Sequence, residues 1–449
     1  EYMPVTHGVT SSSLVRTAQT DNGSYPFFYY QNPNTMPNQL LSPLTPANRS
    51  TQTFITSVLL LLTSVISAQE KEIYIPKDLR TNNFESDTAR WSYQRMALTP
   101  NFAVFWERGF GPDLSKAPQL EGTDMTVDLQ KLTTRLEQFY SYYRDSLRFI
   151  LPGSKADRYR MMAMLNYSLE GTAYGGDYDE TIGALWIAPN RVKDRNLNAI
   201  AHEIGHSFQS QISSDGQGEC WGGGGIFEMT SQWMLWQVNP HWIDDELFHW
   251  QAFIRQANLP FLCPENIYHS PYILEHWSYL HGKTVIADLF RAGRKGEDPA
   301  QTYMRLFKLN ERQFAQEICD AYSRLLTFDY PRVHDACSRY SNQLLNDSPL
   351  MTYGVNVRPM TINGIQATLT VHAQSPSDGY AYRIVAVDAD NRATYSPITT
   401  EGTIRFTVPQ HTTHLYSVIV AYPKDGYQPV RHHPYKPSTP PRRIYTYTF

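Results

Sequence analysis

The chain has 449 residues, enough for two or three domains with a large buried core. Its 39 Lys and Arg residues against 43 Asp and Glu residues give a net charge of −4, without a basic block or a glycine-rich phosphate loop, which excludes nucleic acid as the default partner. The aromatic content of 13%, with 30 Tyr and 9 Trp, is typical of a large core edged by tyrosine, and carbohydrate contact is the alternative.

Residues 1–68 are predicted to be an N-terminal extension that ends in a signal peptide. The apolar run "FITSVLLLLTSVI", residues 54–66, is followed by the small residues Ser67 and Ala68. This run is too short for a membrane span, which needs about 20 residues, and translation from Met36 would make it the core of a secretory signal. The sequence therefore predicts a protein that is secreted, periplasmic or on the cell surface, with no stable membrane span. An uncleaved N-terminal anchor is the alternative.

Four cysteines follow the apolar run, namely Cys220, Cys263, Cys319 and Cys337. Export would place them in a compartment that permits disulfides, and the sequence does not choose among their three possible pairings. Their spacing contains no CxxC pair and so does not favour a four-cysteine zinc site.

Residues 69–345 are predicted to form one α+β domain. The stretches "FAVFWE", residues 102–107, and "MMAML", residues 161–165, are predicted strands, and "TIGALWIAP", residues 181–189, is a β-rich segment that ends at a proline. Helices predominate from Asp194 onward. An amphipathic helix between the first two strands is predicted from apolar residues three and four apart: Leu129, Leu132, Leu136, Phe139, Tyr143 and Leu147.

Residues 352–429 are predicted to form an all-β sandwich domain. Apolar and polar residues alternate in short segments such as "GIQATLTV" and "TIRFTV", and turn residues separate these segments. The remaining residues, 430–449, form a basic, proline-rich tail that is predicted to be loosely ordered.

The stretch "AHEIGHSFQ", residues 201–209, contains two candidate metal-binding histidines and a candidate general base. At about 100° per residue the apolar residues Ile200, Ile204 and Phe208 share one face of a helix, and His202 and His206 lie nearly opposite. Two imidazoles one helical turn apart can bind one zinc ion, and Glu203 between them can act as a general base on a metal-bound water. The alternative is a solvated polar face that binds nothing.

A third protein ligand is needed for a catalytic zinc site, and Glu228 is the candidate. It lies in "IFEMTSQWMLWQV", residues 226–238, which is apolar nearly all round and therefore predicts a buried helix. A carboxylate in such a helix is costly unless it is paired or metal-bound. The alternative is that Glu228, in the first turn of the helix, is only stabilised by the positive end of the helix dipole. Glu219, in the loop-like "GQGECWGGGG", is the second choice.

The segment "AHEIGHSFQ" followed by a glutamate-bearing helix resembles the gluzincin zinc metallopeptidases. In more detail, "HEIGHSFQ" with "FEMTSQWMLW" is similar to their enhancin-like, mucin-directed branch and to a related uncharacterised family of secreted bacterial proteins. The resemblance covers roughly Arg90–Leu309. It implies a gluzincin-like domain in which His202, His206 and Glu228 bind Zn²⁺ and Glu203 is the base and proton shuttle.

Two further parts of a gluzincin site are expected from this resemblance. An edge strand before the HExxH helix binds the substrate backbone, and "IGALWIAP", residues 182–189, is the candidate, with an ordinary core strand as the alternative. A side-chain donor stabilises the oxyanion. Tyr272 is our choice for this donor, ahead of His276 and Tyr279. A metzincin site would instead need a third histidine soon after His206, and the next one is His241.

The predicted function is a secreted zinc metallopeptidase that hydrolyses peptide bonds of proteins or glycoproteins. The alternative is a non-catalytic protein that keeps the fold and binds glycan or a cell surface, with glycan held by the sandwich and its aromatic residues. A purely structural zinc would need four protein ligands, and the sequence offers three good ones.

Overall fold

The computed structural model describes residues 70–171, 173–218, 221, 225–430 and 443–449. Residues 70–449 make up one compact unit. The predicted signal run, Glu219, Cys220, the glycines at 222–224 and most of the predicted basic tail lie outside the described residues.

A five-stranded sheet forms the N-terminal part of this unit. Its strand order is β1-β2-β3-β5-β4, with β2, β3 and β5 parallel and the two outer strands antiparallel to their neighbours. Strands β2 and β3 form where the apolar runs predict them, and all five residues of each are buried. The strands are β1 (Met96–Leu98), β2 (Phe102–Trp106), β3 (Met161–Leu165), β4 (Ala173–Tyr178) and β5 (Ile182–Ile187).

Helices cover one face of this sheet and continue beyond it. The predicted amphipathic helix is α1, which Asp128 caps by accepting a hydrogen bond from the Lys131 N–H, and a π-helical turn at Tyr142–Ser146 extends it. The helices are α1 (Leu129–Ser141), α2 (Lys155–Arg158), α3 (Asn198–Ser214), α4 (Gly225–Val238), α5 (Trp242–Asp245), α6 (Leu247–Gln256), α7 (Tyr272–His281), α8 (Val285–Ala292), α9 (Pro299–Phe307), α10 (Glu311–Leu325) and α11 (His334–Cys337).

The C-terminal part is rich in β-structure, so the chain combines an α+β region with a β-rich region. An antiparallel sheet of order β11-β10-β13-β7 is its centre, and the pair β12-β8 lies apart from that sheet. The strands are β6 (Leu350–Met351), β7 (Val355–Pro359), β8 (Gln366–Thr370), β9 (His372–Ala373), β10 (Asp378–Asp388), β11 (Ala393–Tyr395), β12 (Thr403–Thr407), β13 (Thr412–Pro423), β14 (Ile444–Tyr445) and β15 (Tyr447–Thr448).

Both faces of the central C-terminal sheet are buried. On one face, Ile384 and Ile419 pack with Leu369 of β8 and Phe406 of β12 in a separate apolar cluster. On the other face, side chains such as Val418 join the large core that also contains α3, α4 and the N-terminal sheet. The hydrophobic core is therefore continuous between the two parts of the chain.

The cysteines of the described part are free thiols. Cys263, Cys319 and Cys337 are all buried and unbonded to one another. Burial raises the pKa of each of these thiols to about 12. Separately, no helix within the described ranges is long and apolar enough to cross a membrane.

Strand β4, and not β5, is the edge strand of the N-terminal sheet next to the HExxH helix, so the prediction that residues 182–189 offer a free edge is wrong. Strand β5 lies between β3 and β4 and pairs with both. Its apolar residues suit this inner position, where strands are covered on both sides. The free edge before the HExxH helix belongs to Ala173–Tyr178.

Candidate metal centre

Helix α3 presents His202, Glu203 and His206 because its other face is anchored in the core. Ile200, Ile204 and Phe208 have no exposed surface. The Tyr143 hydroxyl, from the π-helical turn, donates to the Ala201 carbonyl at 2.9 Å, immediately before the first histidine. As predicted, the apolar face fixes the helix and leaves the histidines on another side.

Helix α4 runs close beside α3 and brings Glu228 to the histidines. The predicted buried helix is confirmed, since Met229, Trp233 and Trp236 are all fully buried. The two helices approach at Gly205, where an added Cβ atom would lie 2.8 Å from Ser231 Oγ. Gly205, the glycine of HEIGH, thus permits a short distance between the two helices, and any larger residue would push them apart.

Three donor atoms form a nearly equilateral triangle. His202 Nε2 lies 3.1 Å from Glu228 Oε2 and 3.2 Å from His206 Nε2, and His206 Nε2 lies 3.3 Å from Glu228 Oε2. Two ligands of a tetrahedral zinc ion, each at about 2.0–2.1 Å from it, are about 3.3 Å apart. The three residues therefore fit a zinc ion in type, number and spacing.

The electrostatics of this triangle favour a positive charge. Burial lowers the pKa of His206, but Glu228 and, more weakly, Glu203 and Gln209 raise it by more, to about 9. Burial raises the pKa of Glu228, whereas His206 and His202 hold it well below its ordinary value. Both net shifts have one cause, the attraction between the carboxylate and the imidazoles.

Glu203 lies beside the triangle and is held by the edge strand. One of its carboxylate oxygens is within 4.8 Å of ring nitrogens of both His202 and His206. Its Oε2 accepts a hydrogen bond of 2.8 Å from the Gly175 N–H of β4. Because this N–H bonds to Glu203, it points away from β5 and towards the free edge. The candidate base is therefore fixed at the edge of the sheet.

Gly175 is needed for the approach of β4 to α3. A Cβ atom at this position would lie 1.7 Å from the Glu203 carbonyl oxygen and 2.9 Å from His206 Cβ. At Gly176 the nearest described atom to an added Cβ is Trp186 Cζ3, at an ordinary 3.7 Å. Sequence reasoning missed β4, and the adjacent glycines of "AYGGDY" are the signal of close backbone approach that could have revealed it.

Tyr272, our choice for the oxyanion donor, is placed in the core. Its ring packs against Trp236, Trp250 and Phe253, and it is only 2% exposed. Its hydroxyl is enclosed without a hydrogen-bond partner among the described residues. The structure brings His202, Glu203, His206 and Glu228 together and does not bring Tyr272 to them, so its catalytic role stays a prediction.

The two other candidates for the donor have structural partners. His276 is 1% exposed, its Nδ1 lies 3.2 Å from the Tyr330 hydroxyl, and burial lowers its pKa to about 4. Tyr279 is partly exposed and packs under the Arg324 guanidinium.

A different tyrosine, Tyr268, lies over the metal-ligand candidates. Its ring stacks on that of His202 with centroids 6.4 Å apart, and 43% of the residue is exposed. Tyr268 lies four residues before Tyr272 in the sequence. Residue type alone does not distinguish the tyrosine in the core from the one beside His202.

A second group of titratable side chains lies one helical turn along α4. Gln232 Nε2 is 3.2 Å from His249 Nε2, and His249 Nδ1 is 2.6 Å from His269 Nδ1. Glu246 lies 3.5 Å from His249 Nε2. Burial, with a further contribution from His249, lowers the pKa of His269 to about 4, so this imidazole is neutral at pH 7.

The chain belongs to a family of unknown function, DUF6055, whose profile matches residues 65–352 and 349–449. No curated protein sequence matches it.

Two solved structures from Clostridium perfringens are similar in part, and both are metalloproteases. One is the catalytic module of the metalloprotease ZmpA, with a TM-score of 0.32 and 12% identity over 75% of this chain and 66% of that chain. The other is the ZmpB metallopeptidase, with a TM-score of 0.30 and 16% identity over 75% of this chain and 68% of that chain. This chain thus spans just under two thirds of the ZmpA module. Structural overlap and identity at this level do not establish an activity for this chain.

Proposed function

We propose that the protein is a zinc-dependent metallopeptidase that hydrolyses peptide bonds of proteins or glycoproteins. The observation that supports this most is the triangle of His202, His206 and Glu228 donor atoms, 3.1–3.3 Å apart, with the Glu203 carboxylate beside it. A zinc ion held there would polarise the substrate carbonyl and lower the pKa of a water molecule. Three protein ligands, rather than four, are typical of a catalytic zinc site.

Glu203 is proposed as the general base and then the general acid. With Oε2 held by the Gly175 N–H, its Oε1 can take the proton of the attacking water and later deliver it to the leaving amine. The same hydrogen bond fixes the orientation of the Glu203 carboxylate beside the ligand triangle.

The free edge of β4 is the proposed binding site for the peptide backbone. An extended peptide can add to an exposed sheet edge through main-chain hydrogen bonds. Glu203 contacts this edge at Gly175, so a peptide on β4 would run past the base. We propose further that the enzyme acts outside the cytoplasm, with the apolar run at residues 54–66 as the support.

The test is to compare wild type with Glu203→Gln for zinc content and for cleavage of a mixed peptide library. Both proteins are expected to bind one equivalent of zinc, because Glu203 is not a ligand. Cleavage by Glu203→Gln should fall by about 10²–10⁴-fold, the usual contribution of a general base. Wild type without zinc, or equal cleavage by the two proteins, would contradict the proposal. Zinc binding without any cleavage would favour the non-catalytic, glycan-binding alternative.

A further inference from the structure

Gln209 lies between the two helices that carry the metal-ligand candidates. It is fully buried on α3, and its amide makes three hydrogen-bond contacts. Its Oε1 is 3.2 Å from His206 Nδ1, and its Nε2 donates to the Phe227 carbonyl at 3.1 Å and to Ser231 Oγ at 3.0 Å. We propose that Gln209 is a positioning residue that sets the tautomer of His206 and holds the turn of α4 that carries Glu228. This inference rests on the proposed zinc site.

The hydrogen-bond network determines which way the Gln209 amide points. The Phe227 carbonyl can only accept a hydrogen bond, so the amide nitrogen must face it and Oε1 must face His206. Since Oε1 can only accept, the His206 Nδ1 must carry a proton and donate it. A neutral imidazole then has its lone pair on Nε2, which is the atom 3.3 Å from Glu228 Oε2.

The same amide fixes the first turns of α4. Phe227 immediately precedes Glu228, and Ser231 follows it by one helical turn. Both are bound to a side chain whose other end is bound to His206. One buried amide thus links the orientation of one ligand to the position of another. Rotation of this amide would leave buried polar groups unpaired on both helices, which is costly.

Gln211 provides a matched control two residues further along α3. It is also fully buried, and its amide is also paired, but with partners on the sheet side of the helix. Its Oε1 accepts from the Gly183 N–H, and its Nε2 donates to the Thr181 carbonyl. Replacing either glutamine removes a buried amide from the same helix. Only Gln209 contacts a ligand and the helix of Glu228.

The experiment measures zinc affinity by chelator competition for wild type, Gln209→Met and Gln211→Met, with thermal unfolding alongside. Both variants are expected to be less stable than wild type. Gln209→Met should bind zinc about 10–100-fold more weakly, the usual effect of losing a hydrogen-bond partner of a ligating histidine. Gln211→Met should keep an affinity close to that of wild type.

A measurement on wild type makes the test independent of how well the variants fold. In histidine-labelled, metal-free protein at a pH where His206 is neutral, ¹⁵N NMR should show its proton on Nδ1. A proton on Nε2, or equal zinc affinities for the two variants, would overturn the role of Gln209 and leave the proposed peptidase intact. If wild type binds no zinc, the proposed function fails, and the role of Gln209 fails with it.

Discussion

The contact between α3 and α4 and the pairing of β10 with β13 are both buried, but they are built differently. The helix contact encloses polar groups, among them Gln209 and Ser231, which are hydrogen-bonded to each other. The strand pair is mainly apolar: Tyr382 pairs with Ile419 and Ile384 with Ser417 over a long antiparallel register. Hydrogen bonds between polar atoms fix the orientation of side chains, whereas apolar side chains stabilise the fold by filling the space between elements.

Because of this difference, substitutions in the two regions should have different effects. A change in the β10–β13 pair should lower the free energy of unfolding and leave the ligand triangle intact. A change at the α3–α4 contact or at the adjoining β4 edge should disturb the triangle out of proportion to its effect on stability. Four substitutions test this contrast, in order of decreasing effect.

Glu228→Ala should have the largest effect, on zinc binding. It removes one vertex of the triangle and the carboxylate that favours a positive charge there. We expect zinc affinity to fall by more than the roughly 100-fold that loss of a ligand's hydrogen-bond partner costs. Chelator competition measures this, with Glu203→Gln as the control that keeps its zinc. Stoichiometric, tight zinc in Glu228→Ala would show that a different residue is the third ligand.

Ile419→Ala should destabilise the chain without touching the site. Ile419 is fully buried in the cluster between β13 and β8, and truncating such a side chain costs about 2–5 kcal/mol. Urea unfolding checks the loss, and zinc affinity should match that of wild type wherever the variant is folded. A large fall in zinc affinity of the folded variant would mean that the two regions are coupled.

Gly175→Ala should cost about 1–3 kcal/mol in unfolding free energy and most of the peptidase activity. The new Cβ would overlap the Glu203 carbonyl oxygen, so β4 and α3 must separate. Gly176→Ala, on the same strand, meets only an ordinary contact with Trp186 and is the matched control. Equal stability and cleavage rates for the two variants would contradict the close approach at Gly175.

Arg392→Ala should have the smallest effect. It breaks an ion pair with Asp390 in which both side chains are more than two-thirds exposed, at 75% and 67%. Such surface pairs contribute about 0.2–1 kcal/mol or nothing measurable. Urea unfolding should therefore give a curve within about 0.5 kcal/mol of wild type. A larger loss would identify a role for Arg392 beyond the exposed pair.

The parts of the fold that rest on apolar pattern were predictable from the sequence. Uninterrupted apolar runs predicted β2 and β3, and the periodic leucines predicted α1. The same logic placed Glu228, because a carboxylate in an otherwise apolar helix needs a partner. In the structure, Glu228 Oε2 lies 3.1 Å from His202 Nε2 and 3.3 Å from His206 Nε2, in agreement with that argument.

The parts that rest on tertiary contact were not predictable. Strand β4, "AYGGDY", contains residues that are depleted in strands, and its conformation depends on pairing with β5 and on the approach of α3. Tyr272 and Tyr268 lie four residues apart, and helix α7 turns the first into the core. Gln209 is an ordinary polar residue in the sequence, and only the position of α4 gives its amide a role.

The three buried thiols of the described part are poorly placed for redox chemistry. The side chains are buried, unbonded to one another and protonated at physiological pH in Cys263, Cys319 and Cys337. Since the thiolate is the reactive form, mild oxidants have no reactive group at these three positions. Packing and buried hydrogen bonds hold the described core without a disulfide among these three cysteines.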